Sequence, residues 1–176
     1  ARHGHVATVF DAQRQAIAAC SSQVNSPVLA VHFAPAIATR LSPYLPWWAQ
    51  AVRNWQLNGD PDRLFGRDVY NHPNGYSQTW AKHVHVVPSP HLTGHEKWES
   101  ASSAFNRTSD RLMIYSVAEE HPFKYGVLLL ALLGDPGGHD KLIKGAAAQE
   151  NRQLWEDLAY AHQSSGDMPT GTVTES

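Results

Sequence analysis

Gly126-Val127-Leu128-Leu129-Leu130-Ala131-Leu132-Leu133 is the stretch that decides the fold. It carries no polar alternation, so it reads as a strand buried on both faces and therefore central in a sheet. Its aliphatic part, Val127 to Leu133, is far shorter than the ~18–20 residues of a membrane-crossing helix. Working outward, Arg111 to Val117 is a second apolar strand, joined to the first by a connection compatible with a wide hairpin. Trp80 to Val87 alternates as a half-buried strand does, and Pro88 and Pro90 end it. Val28 to Phe33 is a further β-type run that stops before Pro35.

The helical signals lie at the two ends. Val6, Val9, Phe10, Ala16, Ile17 and Cys20 recur at helical spacing, which predicts a short amphipathic helix over about 6–20. A short helical piece reaches about Leu41. Pro46 then opens a longer helix that carries Trp47, Trp48, Ala51, Val52 and Trp55, and Asn58-Gly59 closes it. The tryptophans at that spacing read as core. After the turn Asp135-Pro136-Gly137-Gly138, a closing helix runs from about Asp140 to Gln163, with Ile143, Ala147, Leu154, Leu158 and Ala159 as its stripe.

Strands and helices are segregated rather than alternating. That predicts an α+β domain, with a mostly antiparallel sheet of about four strands, two N-terminal helices and one C-terminal helix. Residues 1–27 form an extra N-terminal helical segment, 28–163 the domain, and 164–176 a flexible tail. Asp60 to Gly75 reads as loop, and 89–106 as a stretch without periodicity of the kind that covers or forms a binding site. The chain opens at Ala1 rather than at a methionine, so its start reads as processed or as a cut from something longer.

Composition narrows the function. The 176 residues are 42% hydrophobic and 17% charged, a globular balance, with a net charge of −2. No whole-molecule basic field exists to grip naked nucleic acid or an anionic membrane. One cysteine, Cys20, excludes an intramolecular disulfide and a thiolate-rich zinc site. There is no Gly-x-Ser-x-Gly elbow and no phosphate-cradling glycine loop. The 11 histidines are the feature that asks for chemistry.

Three places carry it. In Lys82-His83-Val84-His85, residues two apart on a strand share a face, and paired imidazoles can act as base and acid near neutral pH. In Asn106-Arg107-Thr108-Ser109-Asp110-Arg111, two arginines bracket an aspartate and can clamp a phosphate or pin the loop to itself. His139 stands at the mouth of the Gly137-Gly138 turn. A metal reading would use His83, His85, His91 and His95. Thr93-Gly94 make 91–95 a poor helix, however, and no His-Glu-x-x-His pattern exists, so the sequence asks for no cofactor and no metal.

In order and spacing these segments resemble the YafO family of bacterial toxins, ribosome-dependent mRNA endonucleases of toxin–antitoxin pairs. The matching residues are Leu64-Phe65-Gly66-Arg67-Asp68, His83-Val84-His85, Arg107-Thr108-Ser109-Asp110 with Tyr115 beyond, the aliphatic strand, and His139-Asp140-Lys141-Leu142. The likeness covers about Val28 to Gln163. It implies a compact RelE-like domain that cleaves mRNA in the cytoplasm without metal, and a cognate antitoxin. On that reading His85 or His83 deprotonates a 2′-hydroxyl, and Arg107 or Arg67 offsets the phosphorane charge. His139 or Tyr115 protonates the 5′-oxygen, and Asp110 orients an arginine or histidine. Arg67, Lys82, Arg111 and Lys141 are the expected substrate contacts, and Arg67, Arg107 and Arg111 the expected face for acidic groups of the antitoxin. Three other readings stay open on the sequence: the toxic tail of a larger secreted effector held by an immunity protein, a non-catalytic binding module, and a metal-dependent hydrolase.

Overall fold

The computed structural model describes residues 29–70, 80–92, 94–120, 123–134 and 136–175. The expected helix over 6–20 lies outside these. The middle of the sheet is the hairpin of β4 (Leu112–Glu120) and β5 (Phe123–Leu133), paired antiparallel from Leu112↔Leu133 to Ala118↔Gly126 and beyond. Along β5, Val127 and Leu129 face one way and Leu128 and Leu130 the other, and all four are buried. On its outer side β5 takes β1 (Ala30–Phe33) in parallel, with Val31↔Val127 and Phe33↔Leu129. On the other side β4 takes β3 (Lys82–Val86) antiparallel.

Each face of the sheet is covered. Helices α1 (Pro35–Leu41) and α2 (Leu45–Asn58) lay Ile37, Leu41, Trp48 and Val52 against Val31, Phe33, Val84, Met113 and Tyr115. Proline sits in the first turn of both helices, and α2 ends on Gly59 at φ 74°, a left-handed cap that favours glycine. The second face carries α4 (Gly138–Ile143) and α5 (Ala146–Ser165), whose Leu142, Trp155 and Ala159 meet Leu112, Ile114, Leu128 and Leu130. The α+β class therefore holds. Among the described residues no helix is long and apolar enough to cross a membrane.

The strand count does not hold: the sheet has six strands, in the order β2-β3-β4-β5-β1-β6. Strand β2 (Phe65–Tyr70) lies in the segment read as loop. Only Phe65 and Gly66 in it are buried, and its register with β3 shifts between Phe65 and Asp68, so no clean alternation marks it. Strand β6 (Val173–Glu175) lies in the segment read as a flexible tail. It is short and polar, and its backbone pairs with β1 at the sheet edge. Arg53 Nη2 donates to the Glu175 carbonyl at 2.6 Å, and Thr174 Oγ1 meets His32 Nδ1 at 2.9 Å.

Two more differences concern helices. The closing helix is broken, because Gly145 at φ 85° separates α4 from α5. The stretch read as irregular holds α3 (Gly94–Ser100) and a short 3₁₀ turn, Ala104–Asn106. Trp98 and Arg63 anchor α3: Trp98 is fully buried and donates Nε1–H to the Arg63 carbonyl at 2.9 Å, and Arg63 Nη2 donates to the Glu99 carbonyl at 2.9 Å. Of the tryptophans on α2, Trp48 is core and Trp55 stacks on Phe65 at 4.6 Å, whereas Trp47 is exposed.

Near the β6 edge, His32 and His162 face each other with ring centroids 5.9 Å apart. Burial, and then His32, lower the His162 pKa to about 4, and burial lowers that of His32. In the unfolded chain both protonate near pH ~6.5. The unfolded state thus binds more protons below that pH, and folding stability falls as pH drops from about 6.5 toward 4. Urea unfolding at about pH 7.5 and about pH 4.5 should show the lower midpoint in acid; equal midpoints would contradict the burial of neutral imidazoles here.

Candidate active site

The period of β3 puts His83 and His85 on one face, opposite Ile114 and Leu112 of β4, which is the face that α4 and α5 cover. Both side chains are largely buried. A third imidazole, His139, arrives from the start of α4. Gly137 at φ 95° turns the chain there, and Gly138 lets it come close, since a methyl on Gly138 would stand 1.9 Å from the Asp110 carbonyl oxygen. The three rings form a triangle. Centroids are 5.8 Å apart for His83–His85, 5.2 Å for His85–His139 and 6.4 Å for His83–His139.

The loop ahead of β4 holds two of the rings. His139 donates Nδ1–H to Asp110 Oδ1 at 2.7 Å, and its backbone N–H donates to the same oxygen at 2.8 Å. The other carboxylate oxygen accepts the Gly137 N–H. Burial pushes the Asp110 carboxyl up, but the backbone N–H groups of His139 and Gly137 and the His139 ring outweigh it and hold it below the usual range. Asp110 therefore stays ionised and fixes the His139 ring with Nε2 outward. His85 Nδ1 lies 2.6 Å from the Ser109 carbonyl oxygen and 2.9 Å from the Ser109 N–H. A protonated Nδ1 donates to the first and an unprotonated Nδ1 accepts from the second, so either tautomer of His85 is held in place.

Electrostatics keep the buried pair neutral. Desolvation, then the neighbouring His85 and His139, lower the His83 pKa to about 4. His85 is also lowered, by desolvation first and by His139 and Arg67, against a smaller upward pull from Ser109 and Asp110. At neutral pH both are free bases.

His85 and His139 border an open cleft of about 400 Å³, which Arg67, Thr108, Ser109 and Asp110 also line. Arg67 donates Nε–H to the Phe105 carbonyl at 2.9 Å, and its guanidinium lies 4.2 Å over the Phe105 ring. Loop 107–111 is tied to β3 by the Ser109 hydroxyl, 2.7 Å from the Val86 carbonyl. From the sequence-selected residues the structure thus brings together His83, His85, Asp110, His139 and Arg67.

The others lie elsewhere. Arg107 does not line the cleft: it is buried, 2.9 Å from the equally buried Asp60 carboxylate, with its guanidinium over the Trp98 ring at 5.7 Å. Tyr115 is fully buried on the opposite face of the sheet and donates its hydroxyl to Asp68 at 2.7 Å. Burial, and then Asp68, raise its pKa well above the ordinary tyrosine value, and it does not line the cleft. Lys82 pairs across from Tyr115 and ion-pairs with Asp68 at 3.2 Å, also on that face. Arg111 borders a different, more apolar cleft with Tyr44, Trp47, Trp48, Leu64, Val86 and Val87. Lys141 is exposed on α4 and does not line the cleft.

Three residues escaped the sequence reading of the site. Thr108 and Ser109 were visible as part of the loop motif, but nothing in the sequence says that Ser109 offers its backbone to His85. Phe105, 66% exposed beside Arg67, has no pattern to mark it beyond being a large aromatic next to a polar loop. His91 and His95 do not join the histidine cluster; among the described residues, His83, His85 and His139 are the set whose ring nitrogens gather within 4.8 Å of one another.

A search of curated protein sequences and a search of solved structures each return no match. The model of one family, described as Toxin YafO, type II toxin-antitoxin system, matches residues 53–164. That span holds every residue of the cleft and more than half of the chain, so this protein belongs to the YafO toxin family of type II toxin–antitoxin systems.

Proposed function

We propose that this toxin is an endoribonuclease that cuts mRNA on the ribosome by proton transfer between imidazoles, with no metal required for the reaction. The observation that supports it is the convergence of neutral His85 and carboxylate-held His139 on one open cleft with Arg67. His85 is the base: it takes the proton of a 2′-hydroxyl, whose oxygen attacks the adjacent phosphorus. His139 is the acid: a proton on its Nε2 makes an imidazolium whose counter-ion, Asp110, is already bonded at Nδ1, and that proton passes to the departing 5′-oxygen. The products are a 2′,3′-cyclic phosphate and a 5′-hydroxyl. Arg67 offsets the charge of the phosphorane. His83 stands behind the pair as a neutral wall. The exposed face of Phe105 suits a stacked base, an interaction worth about 1–3 kcal/mol.

A net charge of −2 gives free RNA little to bind, since affinity for phosphates scales with cationic contacts. The ribosome then supplies what the toxin lacks, by holding the message in place. Purified toxin is expected to cleave mRNA in a translating complex at least about 100-fold faster than the same naked RNA, a difference within the reach of pre-positioning. Equal rates in the two settings would contradict the ribosome-borne substrate. Membership in a type II family also implies a cognate antitoxin. Acidic antitoxin groups facing Arg67 fit this cleft, in the cytoplasm where both partners and the ribosome meet. Arg107, being buried, is not part of such a face.

A further inference from the structure

We propose that His83, His85 and His139 also form a binding site for a zinc-class divalent metal ion, and that the bound ion switches the ribonuclease off. Three imidazole nitrogens from one site are the donor set that suits zinc, copper or nickel, and three protein nitrogens with a fourth, open position is a common zinc arrangement. Here the ring nitrogens lie within 4.8 Å of one another. An ion at the centre of such a triangle stands no more than about 2.8 Å from each, so inward shifts of ~0.7 Å reach the zinc–nitrogen distance of ~2.0–2.1 Å. Two of the rings meet it readily, because Nδ1 of each is already engaged and Nε2 is left for the ion. Asp110 holds His139, and the Ser109 carbonyl holds His85. A carboxylate or carbonyl on the far nitrogen is the outer-shell partner that metal-binding histidines take. His85 and His139 line the open cleft, from which an anion or water can complete the shell.

Such an ion occupies the nitrogens that the reaction needs for both proton transfers. Binding itself does not depend on the ribonuclease reading; the inhibition does. The experiment therefore reads the two separately. Apo protein is titrated with Zn²⁺ against a chromophoric chelator, and with Co²⁺ by its visible absorption. Cleavage of ribosome-bound mRNA is then measured in EDTA and in excess Zn²⁺. One equivalent of metal is expected to bind, His139→Ala to abolish that binding, and Asp110→Asn to weaken it about 10–100-fold. His139 is 41% exposed, so its replacement leaves the core intact, and circular dichroism checks this. Cleavage seen in EDTA should be lost in zinc and return when EDTA is restored. Absence of stoichiometric binding, or binding unchanged in His139→Ala, overturns the site. Binding without inhibition of a toxin active in EDTA overturns the switch. A protein that binds zinc through these histidines but never cuts RNA keeps the site and refutes the ribonuclease reading instead.

Discussion

Replacing His85 with alanine is expected to slow mRNA cleavage by ~10²–10⁴-fold, the usual contribution of a positioned general base. A neutral imidazole bordering the cleft is what the proposed base requires. It is 5% exposed, it borders the open volume, and its Nδ1 is held by Ser109, which leaves Nε2 for the proposed proton transfer. Alanine also strands the Ser109 backbone groups, at a cost of about 1–3 kcal/mol of stability, so activity must be compared at equal folded fraction. His85→Asn separates the two effects. Its amide can meet the Ser109 N–H through Oδ1 or the carbonyl through Nδ2, so part of the stability returns, but it cannot carry a proton and the rate stays low. His139→Ala should lose a similar factor. The double variant should lose far less than the product of the two, because a base and an acid working on one reaction act as a unit. An active His85→Asn would remove the base assignment.

Arg107→Ala is expected to cost about 3–5 kcal/mol of folding stability, the range found when one partner of a buried ion pair is removed. Asp60 explains why. It is buried, in a left-handed conformation at φ 60°, and its carboxylate accepts the N–H groups of Leu64 and Phe65 at 3.0 Å each as well as the Arg107 guanidinium. That one carboxylate sets the entry of β2. Without the arginine a buried charge faces no counter-ion, and the melting temperature should drop on the order of 10 °C for a chain of this size. Asp60→Asn in the same chain removes the stranded charge and should recover part of the loss. The protein that remains folded at low temperature should cleave within about tenfold of wild type, since no atom of the Arg107 side chain borders the cleft. A collapse of activity in a fully folded Arg107→Ala protein would return this residue to the chemistry.

The contrast between these two residues shows what a sequence can disclose here. His83 and His85 were legible because period two on a strand is a geometric fact, and His139 because a Gly-Gly turn must stop somewhere near the sheet end. The central strand was legible for the same reason, since Val127 to Leu133 has no polar face to expose. Arg107 and Tyr115 sit in motifs as suggestive as those histidines, yet their partners are 47 residues distant, at Asp60 and Asp68. No local pattern reports such a pairing. Tyr115 had one available clue, its even–odd register: it falls on the side of Met113, not of Ile114, and Ile114 is the residue opposite His83. Strands β2 and β6 were hidden because edge strands are held by backbone pairing more than by burial, so composition does not mark them. Gly66 shows the point. It reads as a loop residue, but a methyl there would stand 2.2 Å from the Arg107 carbonyl oxygen, so the glycine serves close packing inside a strand.

The most direct measurement is cleavage of ribosome-bound mRNA by purified toxin in EDTA, with the ends of the products analysed chemically. Wild type should cut, leaving 2′,3′-cyclic phosphate and 5′-hydroxyl ends, and folded His85→Asn should not. Failure of folded wild-type protein to cut in that setting, or cuts that leave a 3′-hydroxyl, would contradict imidazole-driven transesterification in this cleft.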